Sequence, residues 1–457
     1  MQTKYSSVDL IGRIELDITK YIFMFQMVHF MPKFLLPGIA QPTREIPIFL
    51  CKDQNSWPHF FYKRAIVLLD RAVSQTEFHC QISESDITII IDSSEHIKSV
   101  DFLNKLIVEN QQSLGEIDAL IVIGGGSILN LGTALASQLC KLSDSGISDN
   151  HSKQPNFHFI LIPTNVLAMA DVAYGSLGLL NKDSVKNALR ILYDPDSIIL
   201  DTRYLVDLPL TQKKQGIAEC LKHALLQDSS NNANAPRLSD CLRLLSSYSP
   251  DVESIFLCIW KTINAKADII RAINSGNNIA ANLLSYGHVD AEPREAASNF
   301  QLAHGDAVLL GLAIELLLAG PSDALDKVRA VLPFTPLADI VNKISFDRKV
   351  MLEAYRHSAK PRFRADQDHY YVIRLPHVGY FSDIHLRATK IEMHKYNFDT
   401  LYEAADKILM DLKQLCSHPK KKFNYAFFNN RKIGVSKSSR AVEPCSANKT
   451  AGLRSKL

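Results

Sequence analysis

The sequence lacks any Cys-x-x-Cys pair, any long uninterrupted apolar run and any strong excess of one charge. Its 8 cysteines are scattered over 457 residues, and 51 Lys and Arg face 48 Asp and Glu, a net charge of +3. So small a charge argues against nucleic acid or a membrane surface as a partner, and we expect neither. The most apolar early stretch, residues 21–40, contains His29, Pro32, Lys33 and Pro37 and is too interrupted to span a bilayer.

The N-terminal residues show no pattern of a secretory signal, so we expect reduced thiols in a cytoplasmic enzyme. Hydrophobic residues make up 46% and charged residues 22% of the chain, which is typical of a soluble globular protein. A chain of 457 residues is too long for one ordinary core. We therefore expect two domains with appendages.

The middle of the sequence alternates short apolar runs with helical spacing. Strand-like runs occupy residues 65–69, 87–91, 119–123 and 157–162, and apolar residues at helical spacing occupy residues 97–107. Strands that alternate with helices predict an α/β fold with a doubly wound parallel sheet. After Pro209 the pattern changes to long helical stretches at residues 217–226, 255–273, 307–319 and 398–415.

These patterns divide the chain into four parts. Residues 1–60 have no clear pattern, residues 61–205 predict the α/β domain, and residues 206–416 predict a mostly helical domain. Residues 417–457 are basic with few apolar side chains, and we expect a disordered tail. Residues 455–457 read Ser-Lys-Leu, which matches a peroxisomal address if the host is eukaryotic.

A glycine loop follows the third strand-like run. Residues 118–127 read DALIVIGGGS, and a helix is expected to begin near Leu129. Glycines let a backbone approach a ligand closely, and a helix N-terminus presents free N–H groups to an anion such as a pyrophosphate. A tight strand-to-helix turn without a ligand is the alternative. Upstream, Asp70 and the segment 94–98 could hold a ribose hydroxyl, or act as surface charges or helix caps.

One acidic residue and two histidines suggest a metal site. Glu219 and Lys222 project from the same face of a helix, and His288 and His304 each lie beside a glycine. One carboxylate and two imidazoles with open positions are typical of catalytic zinc. Residue types alone leave the alternative open that the histidines are helix caps.

Several short motifs occur together in one order. They are IGGGS at 123–127, IPT at 162–164, AMAD at 168–171, KN at 186–187, DT at 201–202, LP at 208–209, GIAECLK at 216–222, YGH at 286–288 and HGDAV at 304–308. Together they resemble the dehydroquinate synthase family, within the wider group of sugar phosphate cyclases. The resemblance extends from about residue 64 to about residue 415.

That resemblance implies an N-terminal NAD-binding domain, a C-terminal metal-binding helical domain and a homodimer. The implied ligands of Zn2+ or Co2+ are Glu219, His288 and His304. The implied dinucleotide contacts are Asp70, Glu95, Lys98, Gly125, Gly126, Ser127, Thr164, Asn165 and Thr202. The implied substrate-site residues are Asp171, Lys186, Asn187, Lys222, Lys266 and Lys360.

The implied activity is that of a carbon–oxygen lyase acting on a sugar phosphate. NAD+ takes a hydride from the substrate, phosphate is eliminated, the hydride is returned, and an intramolecular aldol closure gives a carbocycle. The metal supplies Lewis acidity and cationic side chains hold the leaving phosphate.

The chain also departs from the family pattern. A phosphate-contacting lysine is replaced by Leu177, an arginine by Ala281, an asparagine by Ser285, a histidine by Glu292 and an aspartate by Asn130. Only Lys360 remains of a lysine pair, and the arginine that reaches into the neighbouring subunit has no counterpart before Phe157.

Lost cations weaken the binding of a substrate carboxylate, because each charge-assisted hydrogen bond contributes about 1.5–3 kcal/mol. We therefore expect a substrate other than that of dehydroquinate synthase, as in valiolone- or inosose-type cyclases. The alternatives are an iron-type NAD-dependent polyol dehydrogenase and a homologue that has lost turnover.

Overall fold

The computed structural model describes residues 33–38, 40–41, 44–51, 58, 62–76, 86–114, 117–144, 157–182, 185–227, 234–343, 346–358, 363–366, 368–375, 378–379, 381 and 392–417. The expectations for the first 32 residues and for the tail from residue 418 onward lie outside these described residues. The strands are β1 (Lys33–Pro37), β2 (Glu45–Cys51), β3 (Ala65–Asp70), β4 (Ile87–Ile91), β5 (Ala119–Gly124), β6 (His158–Pro163), β7 (Leu177–Lys182), β8 (Val185–Leu192), β9 (Ser197–Asp201), β10 (His369–Ile373) and β11 (Met393–Asn397).

Seven strands form one sheet in the order β1-β2-β9-β6-β5-β3-β4. Neighbours pair in parallel except β1 with β2, which are antiparallel. The central strand β5 is apolar and buried along its whole length, as expected inside a parallel sheet. The predicted doubly wound parallel sheet is thus confirmed. Strands β1 and β2, in the part of the chain without a clear sequence pattern, extend it at one edge.

The described helices are α1 (Arg71–Ser74), α2 (Val100–Glu109), α3 (Gln111–Leu114), α4 (Gly126–Asp144), α5 (Val166–Ala170), α6 (Leu210–Leu226), α7 (Leu238–Ser246), α8 (Val252–Asn274), α9 (His288–Ala297), α10 (His304–Ala319), α11 (Asp323–Val331), α12 (Leu337–Ile340), α13 (Arg348–Ser358) and α14 (Phe398–Ser417). The helical stretches predicted after Pro209 are confirmed as α6, α8, α10 and α14. Three of them are slightly longer than their apolar patterns, whereas α6 begins seven residues before its pattern. No described helix is both long enough and apolar enough to cross a bilayer.

The helical part surrounds α6, which packs against α5, α7, α8 and α10. Two antiparallel hairpins, β7 with β8 and β10 with β11, lie outside the main sheet. The mostly helical pattern predicted for residues 206–416 gave no indication of β10 and β11. The strand β11 reads Met-His-Lys-Tyr-Asn and lacks the apolar alternation that would have revealed it.

Candidate active site

A cavity of about 810 Å3 opens at the C-terminal edge of the parallel sheet. Asp70 ends β3, Gly125 follows β5, and Thr164 follows β6, and all three line the cavity. These strands are neighbours in the sheet, and the ligands of open α/β sheets bind at the carboxyl ends of such strands. The cavity therefore lies where a nucleotide is expected.

The glycine loop forms the turn between β5 and α4. The helix begins at Gly126, earlier than the sequence predicted, so its first free N–H groups belong to the loop itself. A Cβ atom at Gly125 would lie 2.7 Å from Nδ2 of Asn165. Asn165 is fixed in turn, because its Oδ1 accepts the N–H of Ala168 at 2.8 Å and caps α5. Ser127 also borders the cavity.

Polar side chains border the same side of the cavity. Oδ1 of Asp70 accepts the N–H of Ala72 at 3.0 Å and caps α1. Nζ of Lys98 lies 2.7 Å from Oε1 of Glu95, which also accepts from Nδ2 of Asn181 at 3.1 Å. Burial raises the pKa of Glu95, but Lys98 and the nearby Lys186 outweigh it and hold the pKa below its ordinary value. Glu95 is therefore an anion at neutral pH.

Glu219, His288 and His304 meet at the helical side of the cavity. Their candidate ligand atoms all lie within 4.8 Å of one another. Oε1 of Glu219, on α6, lies 3.5 Å from Nε2 of His288 and 3.4 Å from Nε2 of His304. The close approach of α10 to α6 requires Gly305, because a Cβ there would lie 2.1 Å from the carbonyl oxygen of Gln215.

Each histidine is oriented through its other ring nitrogen. Nδ1 of His288 donates to the carbonyl oxygen of Tyr286 at 3.0 Å, and Nδ1 of His304 lies 2.8 Å from Oε1 of Glu295. Such contacts hold the proton on Nδ1 and leave Nε2 available to a metal. Sequence reasoning missed Glu295, although it lies seven residues after His288 and therefore on the same face of α9.

The charges around the trio fit a divalent cation. Glu219 is fully buried and forms an ion pair with Lys222 through Oε2, while neither of its oxygens has a hydrogen-bond partner among the described residues. Burial raises the pKa of Glu219, but Lys222 and the two histidines hold it well below its ordinary value. Burial lowers the pKa of His304, yet Glu295 and Glu219 raise it to about 9. The site thus favours positive charge between these carboxylates, and its donor set is that of catalytic zinc.

Three lysines near this trio each have a carboxylate partner. Nζ of Lys266 lies 2.8 Å from Oδ1 of Asp171, and Nζ of Lys222 lies 3.9 Å from the same atom. Burial raises the pKa of Asp171, but Lys266 and Lys222 hold it below its ordinary value. Lys186 forms a buried ion pair with Glu295.

The departures from the family pattern concentrate at the same cavity. Its lining includes Asn130, Leu177, Ala281, Ser285 and Glu292. Oε1 of Glu292 accepts from Nδ2 of Asn187 at 3.2 Å. Asn130 is structural, because its Oδ1 accepts the N–H of Leu179 at 2.9 Å and joins α4 to β7.

Three of the expected residues that the structure describes, Thr202, Glu219 and Lys222, are not among those that line the cavity. Oγ1 of Thr202 lies 3.5 Å from the carbonyl oxygen of Cys51, at the end of β2. Lys360 lies outside the described residues. Conversely, Arg190 and Arg203 line the cavity although sequence reasoning did not consider them.

Two family models match adjacent parts of this chain. Residues 88–215 match the model of the 3-dehydroquinate synthase N-terminal domain, and residues 216–357 match that of its C-terminal domain. These adjacent matches span more than half of the chain. The chain belongs to the 3-dehydroquinate synthase family.

Two curated relatives of this chain are 3-dehydroquinate synthases. The 3-dehydroquinate synthase of Sulfurisphaera tokodaii is 30% identical over 241 residues, which are 52% of this chain and 62% of that protein. The 3-dehydroquinate synthase of Legionella pneumophila is 26% identical over 314 residues, 66% of this chain and 77% of that protein. The chain thus matches less than two thirds of the length of the first of these relatives.

Two solved structures share the fold. A 2-deoxy-scyllo-inosose synthase complexed with carbaglucose-6-phosphate, NAD+ and Co2+ has a TM-score of 0.62 at 17% identity, covering 82% of this chain and 100% of that chain. The 2-epi-5-epi-valiolone synthase of Streptomyces hygroscopicus, with NAD+ and Zn2+ bound, has a TM-score of 0.56 at 16% identity, covering 76% and 91%. The family matches favour a cyclase over the iron-type polyol dehydrogenase that the sequence left open.

Proposed function

We propose that this chain is a sugar phosphate cyclase, a carbon–oxygen lyase that converts a sugar phosphate to a carbocycle with loss of phosphate. The observation that carries this proposal is the presence of two subsites along one cavity. A glycine loop suited to a pyrophosphate and a carboxylate–imidazole cluster suited to a divalent metal both border it. Membership of the family supports the same chemistry.

We assign the sheet side of the cavity to NAD+, which would supply a reversible hydride acceptor. Gly125 and Gly126 expose the backbone N–H groups at the start of α4 to the pyrophosphate. Asp70 and Glu95 offer carboxylate oxygens to ribose hydroxyls, and Lys98 keeps Glu95 ionised. Ser127, Thr164 and Asn165 complete this side.

We assign the helical side to Zn2+ or Co2+, held by Glu219, His288 and His304, which would supply Lewis acidity toward substrate hydroxyls. Lys222 keeps Glu219 anionic and occupies its Oε2, so Oε1 is left for the metal. Burial lowers the pKa of Lys222, but Glu219 and Asp171 raise it above its ordinary value. This lysine therefore acts as a fixed cation and not as a proton donor.

Asp171 is suited to orienting substrate. Its side chain is 25% exposed toward the cavity, while Lys266 donates both to its Oδ1 and to its backbone carbonyl. Because its pKa lies below the ordinary value, it is a weak base that stays ionised. We infer that it accepts a hydrogen bond from a substrate hydroxyl and fixes that hydroxyl beside the metal site.

We assign the leaving phosphate to the β7–β8 hairpin. Arg190 pairs across the hairpin with Leu179, so it shares a face with Leu179 and with Leu177, two residues away on β7. Arg190 borders the cavity and makes no ion pair with a described residue, so its charge is available to an anion. We infer that Arg190, on the neighbouring strand β8, supplies the positive charge that the family pattern places at the position of Leu177.

The substrate we propose lacks a carboxylate. Ala281 and Ser285 offer no cation, and Glu292 adds a negative charge to the same wall of the cavity. A substrate carboxylate near Glu292 would meet like-charge repulsion in a partly desolvated site. The hydroxyls of a neutral sugar chain could instead donate to Glu292, as Asn187 does. A valiolone- or inosose-type reaction meets this condition.

Incubation with glucose 6-phosphate, sedoheptulose 7-phosphate and the heptulosonic acid phosphate tests this proposal. A cyclase releases inorganic phosphate without net NADH, whereas a polyol dehydrogenase accumulates NADH. Phosphate release from either carboxylate-free sugar phosphate, lost in Glu219→Gln, is the expected result. Metal and NAD+ binding with no phosphate release from any of the three would indicate a homologue without turnover.

A homodimer and a cytoplasmic location belong to the same proposal, by analogy with the family. Light scattering on the purified protein tests the dimer, with a mass near twice 51.2 kDa as the expected result. Peroxisomal import through residues 455–457 is testable by deleting them from a fluorescent fusion in a eukaryotic cell.

A further inference from the structure

The peptide group between Tyr286 and Gly287 lies between a buried carboxylate and a histidine of the metal site. Its N–H donates to Oε1 of Glu315 at 2.9 Å, and its carbonyl oxygen accepts from Nδ1 of His288 at 3.0 Å. The N–H and C=O of a trans peptide point in opposite directions. The two hydrogen bonds therefore hold this peptide plane from both sides.

Glu315 is a charged residue within an otherwise apolar part of α10. From Ala307 to Ala319, α10 reads AVLLGLAIELLLA, and Glu315 is its one charged residue there, only 2% exposed. Burying a carboxylate is costly unless it is hydrogen-bonded. Its carboxyl group accepts the N–H of Gly287 and, at the start of α9, that of Val289. Burial raises the pKa of Glu315 well above its ordinary value, although these two hydrogen bonds act in the opposite direction.

The backbone around Gly287 packs closely against α10. Gly287 has φ +80°, and a Cβ there would lie 2.8 Å from the Leu312 side chain. A Cβ at Gly311 would lie 1.9 Å from the carbonyl oxygen of Gly287. Since α10 also begins at His304, one helix both carries one histidine of the trio and holds the turn that precedes the other.

We propose that Glu315 is a positioning residue for His288. It fixes the peptide whose carbonyl keeps the proton of His288 on Nδ1, so that the Nε2 lone pair faces Oε1 of Glu219. Hydrogen bonds arranged in a chain polarise one another, so Glu315 also makes the imidazole a better ligand. This inference rests on the metal site of the proposed function.

The first test is the Zn2+ affinity of purified variants, measured by competition with a chromophoric chelator. Glu315→Leu keeps the volume and removes the acceptor, and its Kd for Zn2+ should rise about 10- to 100-fold. Glu315→Gln keeps an acceptor oxygen and should stay within about threefold of wild type. Leu309→Ala, a buried change elsewhere in α10, controls for general loosening of the helix.

Two results would overturn the proposal: a folded Glu315→Leu variant with wild-type affinity, or a Glu315→Gln variant as weak as Glu315→Leu. If Glu315→Leu fails to fold by circular dichroism, Glu315→Gln still decides, since a tenfold loss there contradicts the proposal.

A second test needs no metal. Long-range 1H–15N spectra of histidine-labelled, metal-free protein report the tautomer of His288, whose signal is the one absent from His288→Ala. The Nδ1–H form should dominate in wild type and in Glu315→Gln, and should mix with the Nε2–H form in Glu315→Leu. A pure Nδ1–H form in Glu315→Leu would contradict the proposal. If wild type binds no metal while the tautomer responds as expected, the proposed function fails and the positioning role stands.

Discussion

Replacing Glu295 by glutamine perturbs the proposed metal site without changing any of the three proposed ligands. Glu295 lies in the buried ion pair with Lys186, and its Oε1 lies 2.8 Å from Nδ1 of His304. Glutamine keeps the shape and can keep the hydrogen bond, but it removes the charge that favours the His304 tautomer. Groups that orient a ligand in this way typically change metal affinity about 10- to 100-fold, or about 1.4–2.7 kcal/mol.

The same change also leaves Lys186 without its direct partner. Breaking a buried pair costs about 3–5 kcal/mol, and the lower end applies here because Glu95 and Glu292 still act on Lys186. Competition with a chromophoric chelator measures the Zn2+ affinity, and urea unfolding measures the free energy of unfolding. Asp323→Asn is the control, because it removes an exposed carboxylate that is paired with Lys327. It should change the Zn2+ affinity and the free energy of unfolding very little. A folded Glu295→Gln variant with wild-type Zn2+ affinity would show that the charge of Glu295 does not support metal binding by His304.

Three further predictions concern phosphate, cofactor and pH. Arg190→Ala should lower kcat/KM for the sugar phosphate about 10- to 100-fold, because one charge-assisted contact is lost. As a control on the same hairpin, Lys182→Ala should keep kcat/KM within about twofold of the wild-type value. Equal losses of kcat/KM in the two variants would contradict the assignment of the phosphate to Arg190. Gly125→Val should abolish NAD+ binding measured by calorimetry, because the Cβ of the new side chain alone would lie 2.7 Å from Nδ2 of Asn165. An unchanged affinity for NAD+ would exclude dinucleotide binding at this loop. Burial raises the pKa of Asp306 to about 7, so the contribution of Asp306 to the stability of the wild type should fall as pH rises from about 4 to about 7. Asp306→Asn should remove that part of the pH dependence in urea unfolding with EDTA, and parallel curves for both proteins would contradict the raised pKa.

The parallel sheet was predictable because each central strand is a short apolar run. The strand β5 is buried on both faces, so its sequence alone signals its place. The hairpin β7–β8 was not predicted, because β8 is largely exposed and follows no strict alternation. The strand β2 contains Pro47 and lies in a part of the chain without a clear pattern.

The candidate metal site shows the limit of spacing arguments. Glu219 precedes His288 by 69 residues, so no local periodicity connects them. Residue types suggested the trio but left helix caps as an alternative, and the resemblance was needed to favour the metal site. Glu295 and Glu315 were overlooked although each carried a signal. Glu295 lies two helical turns beyond His288, and Glu315 is a lone acid within an apolar helix.

The cation at the cavity wall could not have been found from the sequence. The absence of the lysine at Leu177 is visible in a motif. The proposed replacement of its charge by Arg190 depends on the antiparallel register that sets the two residues on one face. Cross-strand neighbours are fixed by the turn and by packing, which the local sequence does not determine.

The proposed cyclase activity is tested by measuring phosphate and NADH together during one turnover assay with glucose 6-phosphate and sedoheptulose 7-phosphate. We predict that one of these substrates releases stoichiometric phosphate with no net NADH, and that release stops in Glu219→Gln and in His288→Ala. We also predict that the carboxylate-bearing heptulosonic acid phosphate is the poorer substrate. NADH accumulation without phosphate, or a clear preference for the carboxylate-bearing substrate, would contradict this proposal.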